Sequence, residues 1–127
     1  MTRILVVDDT PALRDLLVDA LSDSGFEARG AEHGRDALDQ TDTWLPDAII
    51  LDLMMPVMDG PSFLRARRER PTLAAVPVMV LTAQPSHDRS LRGLDATVVL
   101  RKPYDLDELL LAVHALVEHD TGREQAG

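Results

Sequence analysis

The sequence predicts an α/β fold: a five-stranded parallel sheet in the strand order 2-1-3-4-5, with helices on both faces. Strand and helix signals alternate five times along 127 residues without a break in composition. Such alternation is typical of parallel strands joined by right-handed helical crossovers. Two apolar runs, residues 4–7 and 48–51, end abruptly in aspartate. A continuous apolar run of this length indicates a strand buried on both faces.

The first half of the chain contains the first two strand–helix pairs. After the first strand, Pro11 marks the start of a helix whose leucines recur at helical spacing until Gly25 ends it. Residues 26–30 predict the second strand, and residues 35–42 predict a short second helix. The third strand then runs directly into Asp52.

The second half repeats the pattern. A turn at residues 59–61 begins a third helix, which extends to about Arg68 before Pro71 blocks it. The remaining predicted elements are a fourth strand over 77–81, a weakly indicated helix over 84–92, a fifth strand over 97–100 and an amphipathic helix over 105–117. Residues 1–118 therefore form one predicted domain, and residues 119–127 form a polar C-terminal tail.

Charge and composition narrow the classes of partner. The net charge of −9 argues against direct binding to nucleic acid or to an anionic membrane. The one basic cluster lies at the predicted end of the third helix, where it favours the helix dipole; its members are Arg65, Arg67, Arg68 and Arg70. No apolar stretch could span a bilayer and no N-terminal signal segment is visible, so we expect a cytoplasmic protein.

Acidic residues follow two strands that the predicted order makes neighbours. Asp8 and Asp9 come directly after the first strand, and Asp52 comes directly after the apolar run of the third. In open parallel sheets the functional crevice lies beyond the carboxyl ends of the strands, so the three carboxylates should converge there. Because like charges at such distances repel, a bound cation such as Mg²⁺ is the expected resolution.

Three further groups are predicted to border the same crevice. Thr82 offers a hydroxyl and Ala83 a main-chain N–H after the fourth strand, and Lys102 follows the fifth strand. Lys102 is the only lysine among 13 basic residues, and a compact ammonium suits a phosphoryl oxygen better than a forked guanidinium does. A metal, two donors and a cation around one carboxylate favour an aspartyl-phosphate on Asp52, the carboxylate that stands apart from the acidic pair.

From Arg3 to about Leu116, the chain resembles the receiver domain of two-component response regulators, which has a flavodoxin-like fold. The motifs that carry the resemblance occur in order and with nearly the usual spacing: Asp8-Asp9, Asp52, Met55-Pro56, Asp59-Gly60, Thr82-Ala83 and Lys102-Pro103. The resemblance implies Mg²⁺ bound by Asp9, Asp52 and the main-chain carbonyl of Met54, with Asp8 acting through water.

The resemblance also implies a function. Asp52 would accept a phosphoryl group from a histidine kinase or a histidine phosphotransfer protein, and Thr82 and Lys102 would bind the phosphoryl oxygens. The domain would then change its contacts with a downstream protein target. It would catalyse only its own phosphorylation and dephosphorylation, so it is not expected to be an enzyme acting on a separate metabolite. Because residues 119–127 follow soon after the fifth predicted helix, we expect either a single-domain regulator or a segment of a longer chain.

Two departures from the family pattern leave an alternative open. Val99 occupies the position three residues before the lysine where the family usually has an aromatic ring, and Tyr104 is expected to pack rather than to replace that ring. The stretch between Thr82 and Lys102 is also a couple of residues shorter than usual. A phosphorylation-independent interaction module, in which switching has decayed, is therefore the main alternative function.

Two other readings have less support. A phosphohydrolase with a nucleophilic aspartate typically places a second acid two residues after the nucleophile, where this chain has Met54. A dinucleotide-binding domain needs a glycine-rich first turn, which residues 8–11 do not provide.

Overall fold

The computed structural model describes residues 1–52, 60–82 and 98–126, and within them the chain forms one five-stranded parallel sheet. The strands are β1 (Arg3–Val7), β2 (Glu27–Ala31), β3 (Ala48–Asp52), β4 (Val78–Thr82) and β5 (Val98–Arg101). The helices are α1 (Pro11–Asp23), α2 (Gly34–Thr41), α3 (Gly60–Arg68), α4 (Pro71–Ala74) and α5 (Leu106–Ala126). The strands lie in the order β2-β1-β3-β4-β5, which confirms the predicted fold class.

The sheet is covered on both faces, and its central strands β3 and β4 are apolar at every position except the last, which is Asp52 in β3 and Thr82 in β4. All five residues of β3 and all five of β4 are buried. Alternate residues of the strands point to opposite faces of the sheet and contribute to two separate hydrophobic clusters. One cluster lies under α1 and α5, and the other lies under α2, α3 and α4. The helices contribute Leu17, Leu21, Leu109, Val113 and Leu116 to the first cluster, and Leu38, Phe63, Leu64 and Leu73 to the second.

The strand register brings the acidic residues to one edge of the sheet. Val7 pairs with Leu51, so the residue after β1 and the last residue of β3 lie side by side. Asp52 in turn pairs with Leu81, one residue before the end of β4. The carboxyl ends of β1, β3 and β4 therefore meet at the same place.

Helix α1 begins and ends where the sequence predicts. Pro11 occupies its first turn, where a missing N–H costs nothing and the fixed φ suits a helix. Gly25 has a φ of +97°, a left-handed conformation that side chains with a Cβ disfavour, and it turns the chain toward β2.

Two helical segments differ from the prediction. Pro71 does stop α3, but it also starts the short helix α4, because its fixed φ suits a first helical position as well as it prevents extension. Helix α5 continues to Ala126 rather than ending near residue 117, since helical hydrogen bonds persist after the apolar periodicity is lost. The helix predicted over 84–92 lies outside the described residues. No helix in the described part of the chain has the length and apolar character needed to cross a membrane.

One arginine of the predicted basic cluster is a core residue rather than a surface charge. Arg67 is only 2% exposed, and its Nη2 donates hydrogen bonds to the carbonyl oxygens of Ala74 (3.1 Å) and Val76. Ala74 is the last residue of α4, and Val76 lies in the connection from α4 to β4. The side chain therefore ties the end of α3 to the entry of a central strand, a role that the dipole argument does not foresee.

We expect Arg67→Ala to lower the free energy of unfolding by about 3 kcal/mol, because it leaves buried carbonyls without a donor and opens a cavity. Urea denaturation would measure the change. Arg65→Ala, an exposed arginine on the same helix, is the matched control and should change stability by less than about 0.5 kcal/mol. Equal effects of the two substitutions would contradict a packing role for Arg67.

Candidate functional site

Three carboxylates converge at the carboxyl edge of the sheet. Asp8 and Asp9 follow β1 and Asp52 ends β3, and one carboxylate oxygen of each lies within 4.8 Å of the other two. Asp8 and Asp52 are 1% and 6% exposed, whereas Asp9 is open to solvent. The site is therefore buried on the side of the sheet and accessible through Asp9.

Asp8 is held by hydrogen bonds at three of its polar groups. Its main-chain N–H donates to Ala31 of β2, and its carbonyl accepts from Arg14 Nη1 at 2.9 Å. Its carboxylate Oδ1 accepts from the main-chain N–H of Thr10, also at 2.9 Å. The other carboxylate oxygen, Oδ2, is buried and has no hydrogen-bond partner among the described residues. A fixed carboxylate with an unsatisfied buried oxygen is suited to receive a cation.

The lysine predicted for the site lies against its central carboxylate. Lys102 Nζ is 3.6 Å from Asp52 Oδ1, and the lysine side chain is 31% exposed. The residue follows β5, and its main-chain N–H donates to the carbonyl of Thr82 at 2.8 Å. Pairing of β4 with β5 therefore places the ammonium beside Asp52, two strands away.

Thr82 ends β4 and is 2% exposed, one residue beyond the partner of Asp52 in the strand register. Its position is the one that the sequence predicts, although its role in binding a phosphoryl group stays a prediction. Ala83 and Met54, which were predicted to offer a main-chain N–H and a main-chain carbonyl, lie outside the described residues.

Burial is the main influence on the ionisation of Asp8. Desolvation raises its pKa above the ordinary value, and the neighbouring charges of Asp52 and Asp9 raise it further. The hydrogen bond from Thr10 and the charge of Lys102 act in the opposite direction without cancelling the shift. The metal-free site is therefore short of positive charge.

Two residues near the acidic site were not assigned to it from the sequence. Arg14 reaches it because one turn of α1 brings residue 14 back over the end of β1. Tyr104 packs against the α1/α5 cluster, as expected, but burial and then Asp8 and Asp52 raise the pKa of its phenol. The ring therefore lies within electrostatic range of both carboxylates. Val99, by contrast, is 39% exposed on β5.

Comparison with known proteins assigns the family. The model of the response regulator receiver domain matches residues 4–114. The chain belongs to this family. Its receiver fold is shared with the chemotaxis protein CheY4 of Vibrio cholerae, with a TM-score of 0.86, 32% identity, and coverage of 91% of this chain and 98% of that one. NtrX of Brucella abortus superposes with a TM-score of 0.87 at 26% identity, over 98% of this chain and 29% of NtrX.

Similar sequences include longer response regulators. The receiver domain is 42% identical to the response regulator MprA of Mycolicibacterium vanbaalenii over 127 residues, which cover 98% of this chain and 54% of MprA. It is 40% identical to MprA of Mycobacterium avium, over 98% of this chain and 54% of that protein. The chain thus spans about half the length of these curated relatives.

The described residues of the receiver domain fit a Mg²⁺ ion. The donor set is made of hard carboxylate oxygens, which Mg²⁺ prefers, and it converges from three residues. The buried, unpartnered Oδ2 of Asp8 is the kind of oxygen that a metal or its bound water satisfies. Within residues 1–52, 60–82 and 98–126, the Lys102 ammonium alone does not balance the three carboxylates, which leaves negative charge for a divalent cation to neutralise.

We expect Asp8→Asn to raise the melting temperature of the metal-free receiver domain by several degrees at neutral pH. Asparagine keeps an oxygen that can accept from Thr10 and removes a buried charge next to two others. Because the pKa of Asp8 is raised in the folded state, its carboxyl contributes stability below its unfolded pKa, which is lost as the pH rises through the folded pKa.

The advantage of the variant should therefore grow from about pH 4 upward and then level off. Thermal unfolding in a chelating buffer across this range would measure it, with Asp39→Asn as the exposed control on α2. Added Mg²⁺ should reduce the difference, since the ion stabilises the wild type more. A lower melting temperature for Asp8→Asn at neutral pH would contradict the account.

Proposed function

We propose that this receiver domain accepts a phosphoryl group on Asp52 from a histidine kinase or a histidine phosphotransfer protein, in the presence of Mg²⁺. Phosphorylation then changes its contacts with a downstream protein target. The observation that carries the proposal is the placement of Asp52, which has two other carboxylates within 4.8 Å and the Lys102 ammonium 3.6 Å from its Oδ1. The family assignment supports the same function.

The proposed reaction moves one phosphoryl group between two side chains. An oxygen of the Asp52 carboxylate attacks phosphorus, a P–O bond forms, and the P–N bond to the donor's imidazole breaks. The imidazole keeps the bonding electron pair and takes up a proton. Lys102 is already beside Asp52 and neutralises charge on the phosphoryl oxygens, while Thr82, at the end of β4, supplies a hydroxyl donor. Ala83 would add its main-chain N–H.

Asp8, Asp9 and Asp52, with the main-chain carbonyl of Met54, are the proposed Mg²⁺ ligands. When bound, the ion supplies the positive charge that lets an anionic phosphoryl group approach three carboxylates. The protein's own contribution is to hold these carboxylates in place before the ion arrives, which the hydrogen bonds of Asp8 achieve.

We further propose that the domain comprises residues 1–118, with residues 119–127 as a polar segment, and that it acts in the cytoplasm. The charge of −9 favours protein partners over nucleic acid or membrane. The catalysis that we assign is limited to the domain's own phosphorylation and dephosphorylation.

One observation favours the alternative of a phosphorylation-independent interaction module. Val99 replaces the usual aromatic residue, and its side chain is 39% exposed on β5, so no aromatic ring is available at this position to turn inward. Tyr104 lies on the other side of the lysine and packs against the α1/α5 cluster instead. Phosphorylation without a change in partner binding would support this alternative over a working switch.

Incubation with Mg²⁺ and acetyl phosphate should add the mass of one phosphoryl group to the intact protein. Asp52→Asn should lose the adduct completely, because the amide cannot act as the nucleophile. Asp39→Asn, an exposed carboxylate on α2, should keep it. Intact-protein mass spectrometry distinguishes the outcomes, and an adduct that persists in Asp52→Asn would refute the assignment of the phosphoacceptor.

We expect Lys102→Met to slow phosphorylation by roughly 10- to 100-fold, because the ammonium beside Asp52 no longer neutralises charge that develops on the phosphoryl group. The initial rate of adduct formation at fixed acetyl phosphate would measure this. Lys102→Arg restores the charge with a forked geometry and should recover only part of the rate. An unchanged rate in Lys102→Met would remove the lysine from the mechanism.

A further inference from the structure

Asp9 is the exposed member of the acidic cluster, and contacts of the neighbouring main chain, not of its own side chain, fix its position. Among the described residues, none donates a hydrogen bond to its carboxylate, whereas Asp8 is held at its N–H, its carbonyl and one carboxylate oxygen. An exposed carboxylate without partners normally samples several rotamers and backbone angles. Something else must hold Asp9 if it is to be ready for a metal ion.

The two peptide groups that flank Asp9 are both anchored. The carbonyl of the Asp8–Asp9 peptide accepts from Arg14 Nη1 at 2.9 Å. The N–H of the Asp9–Thr10 peptide donates to Asp8 Oδ1 at 2.9 Å. Because a peptide group is planar, fixing one atom on each side of Asp9 restricts its φ and ψ and hence the direction of its Cα–Cβ bond. Arg14 supplies the hydrogen bond that anchors the Asp8–Asp9 peptide, the one that precedes Asp9.

A glycine in β2 makes room for this arginine. A Cβ added at Gly30 would lie 2.8 Å from Arg14 Cδ and 2.9 Å from Arg14 Cγ, closer than carbon atoms approach each other. The stem of Arg14 therefore crosses directly over the Gly30 backbone on its way to Asp8. A glycine within a strand commonly marks such a close approach.

We infer that Arg14 is a positioning residue for Mg²⁺ binding at the acidic cluster, and that Gly30, which lacks a Cβ, leaves the space through which the Arg14 side chain reaches the Asp8–Asp9 peptide. The inference rests on the proposed function, because it assigns Asp9 as a metal ligand. Arg14 acts through the geometry of the peptide, because its guanidinium donates to the main-chain carbonyl of Asp8 and not to a carboxylate of the cluster.

A geometric role and an electrostatic role of Arg14 predict opposite changes in the affinity for Mg²⁺ when Arg14 is removed. Removing a positive charge near three carboxylates should by electrostatics alone strengthen the binding of a divalent cation. Loss of a positioning contact should weaken it, and residues that orient metal ligands typically account for a factor of 10 to 100 in affinity. The direction of the change therefore separates the two roles.

The test is a double-mutant cycle on the intact chain, with the Mg²⁺ dissociation constant measured by calorimetry. We expect Arg14→Ala to raise the constant roughly 10-fold or more. Gly30→Ala should raise it several-fold by displacing the arginine stem, and should lower the melting temperature no more than Arg14→Ala does. In the Arg14→Ala background, Gly30→Ala should have no further effect, since no side chain is left to displace.

Arg29→Ala is the matched control. It removes the same charge from the residue next to Gly30, but its guanidinium stacks over Trp44, 4.8 Å from the ring centroid, and not on Asp8. The Mg²⁺ dissociation constant of the Arg29→Ala variant should stay the same or fall. Tighter or unchanged Mg²⁺ binding in Arg14→Ala would overturn the inference, as would an equal effect of Gly30→Ala in both backgrounds or a wild type that binds no Mg²⁺.

A second measurement needs neither metal nor phosphodonor. In chelating buffer, amide hydrogen exchange of Thr10 should become faster in Arg14→Ala, while exchange of Ile50 in the core of β3 should not change. Equal acceleration at both sites would show general destabilisation and overturn the inference. Phosphorylation is not a readout of either experiment, so a failure of Asp52 to accept a phosphoryl group would refute the proposed function and leave these outcomes interpretable.

Discussion

Like-charge repulsion at the carboxyl edge of the sheet is the constraint on which the rest of the molecule depends. Two unit charges about 4 Å apart repel by about 4 kcal/mol at an effective dielectric constant of about 20, and here three carboxylates lie within 4.8 Å of one another. The apolar strands that precede them oppose this repulsion. Every residue of β3 is buried, as are the last four residues of β1. The two strands therefore cannot separate without exposing apolar core residues to water.

The same constraint explains why the site is suited to its proposed function. A site that is held together but short of positive charge gains stability from any cation that fits, and this would couple the proposed binding of Mg²⁺ to the fold. Phosphorylation of Asp52 would change that balance by adding anionic oxygens beside Lys102. Because β3, β4 and β5 are hydrogen-bonded neighbours, we expect a change at Asp52 to act most directly on Thr82 and on the residues after β5.

Arginine and lysine have different tasks in the described part of the chain. Arg14, Arg67 and Arg70 each donate to main-chain carbonyls, of Asp8, of Ala74 and Val76, and of Leu38 respectively. Their forked guanidinium groups tie helices to neighbouring helices and connecting segments. Arg70 also donates to the Asp42 carboxylate at 2.8 Å. The compact ammonium of Lys102 faces the carboxylate of Asp52. The difference in shape matters here, since a planar fork binds fixed oxygens while a flexible point charge can follow a moving group.

The sequence by itself determined the sheet, its strand order and the meeting of Asp8, Asp9, Asp52 and Lys102, because apolar runs buried on both faces are local patterns and parallel topology brings their ends together. Only the tertiary structure decided that Arg67 is buried and that Arg14 crosses Gly30 to hold Asp8. The physical reason is that these contacts depend on the angle and depth at which helices pack on the sheet. Residue spacing along the chain fixes which side of a helix a side chain occupies, but not which backbone oxygen it reaches.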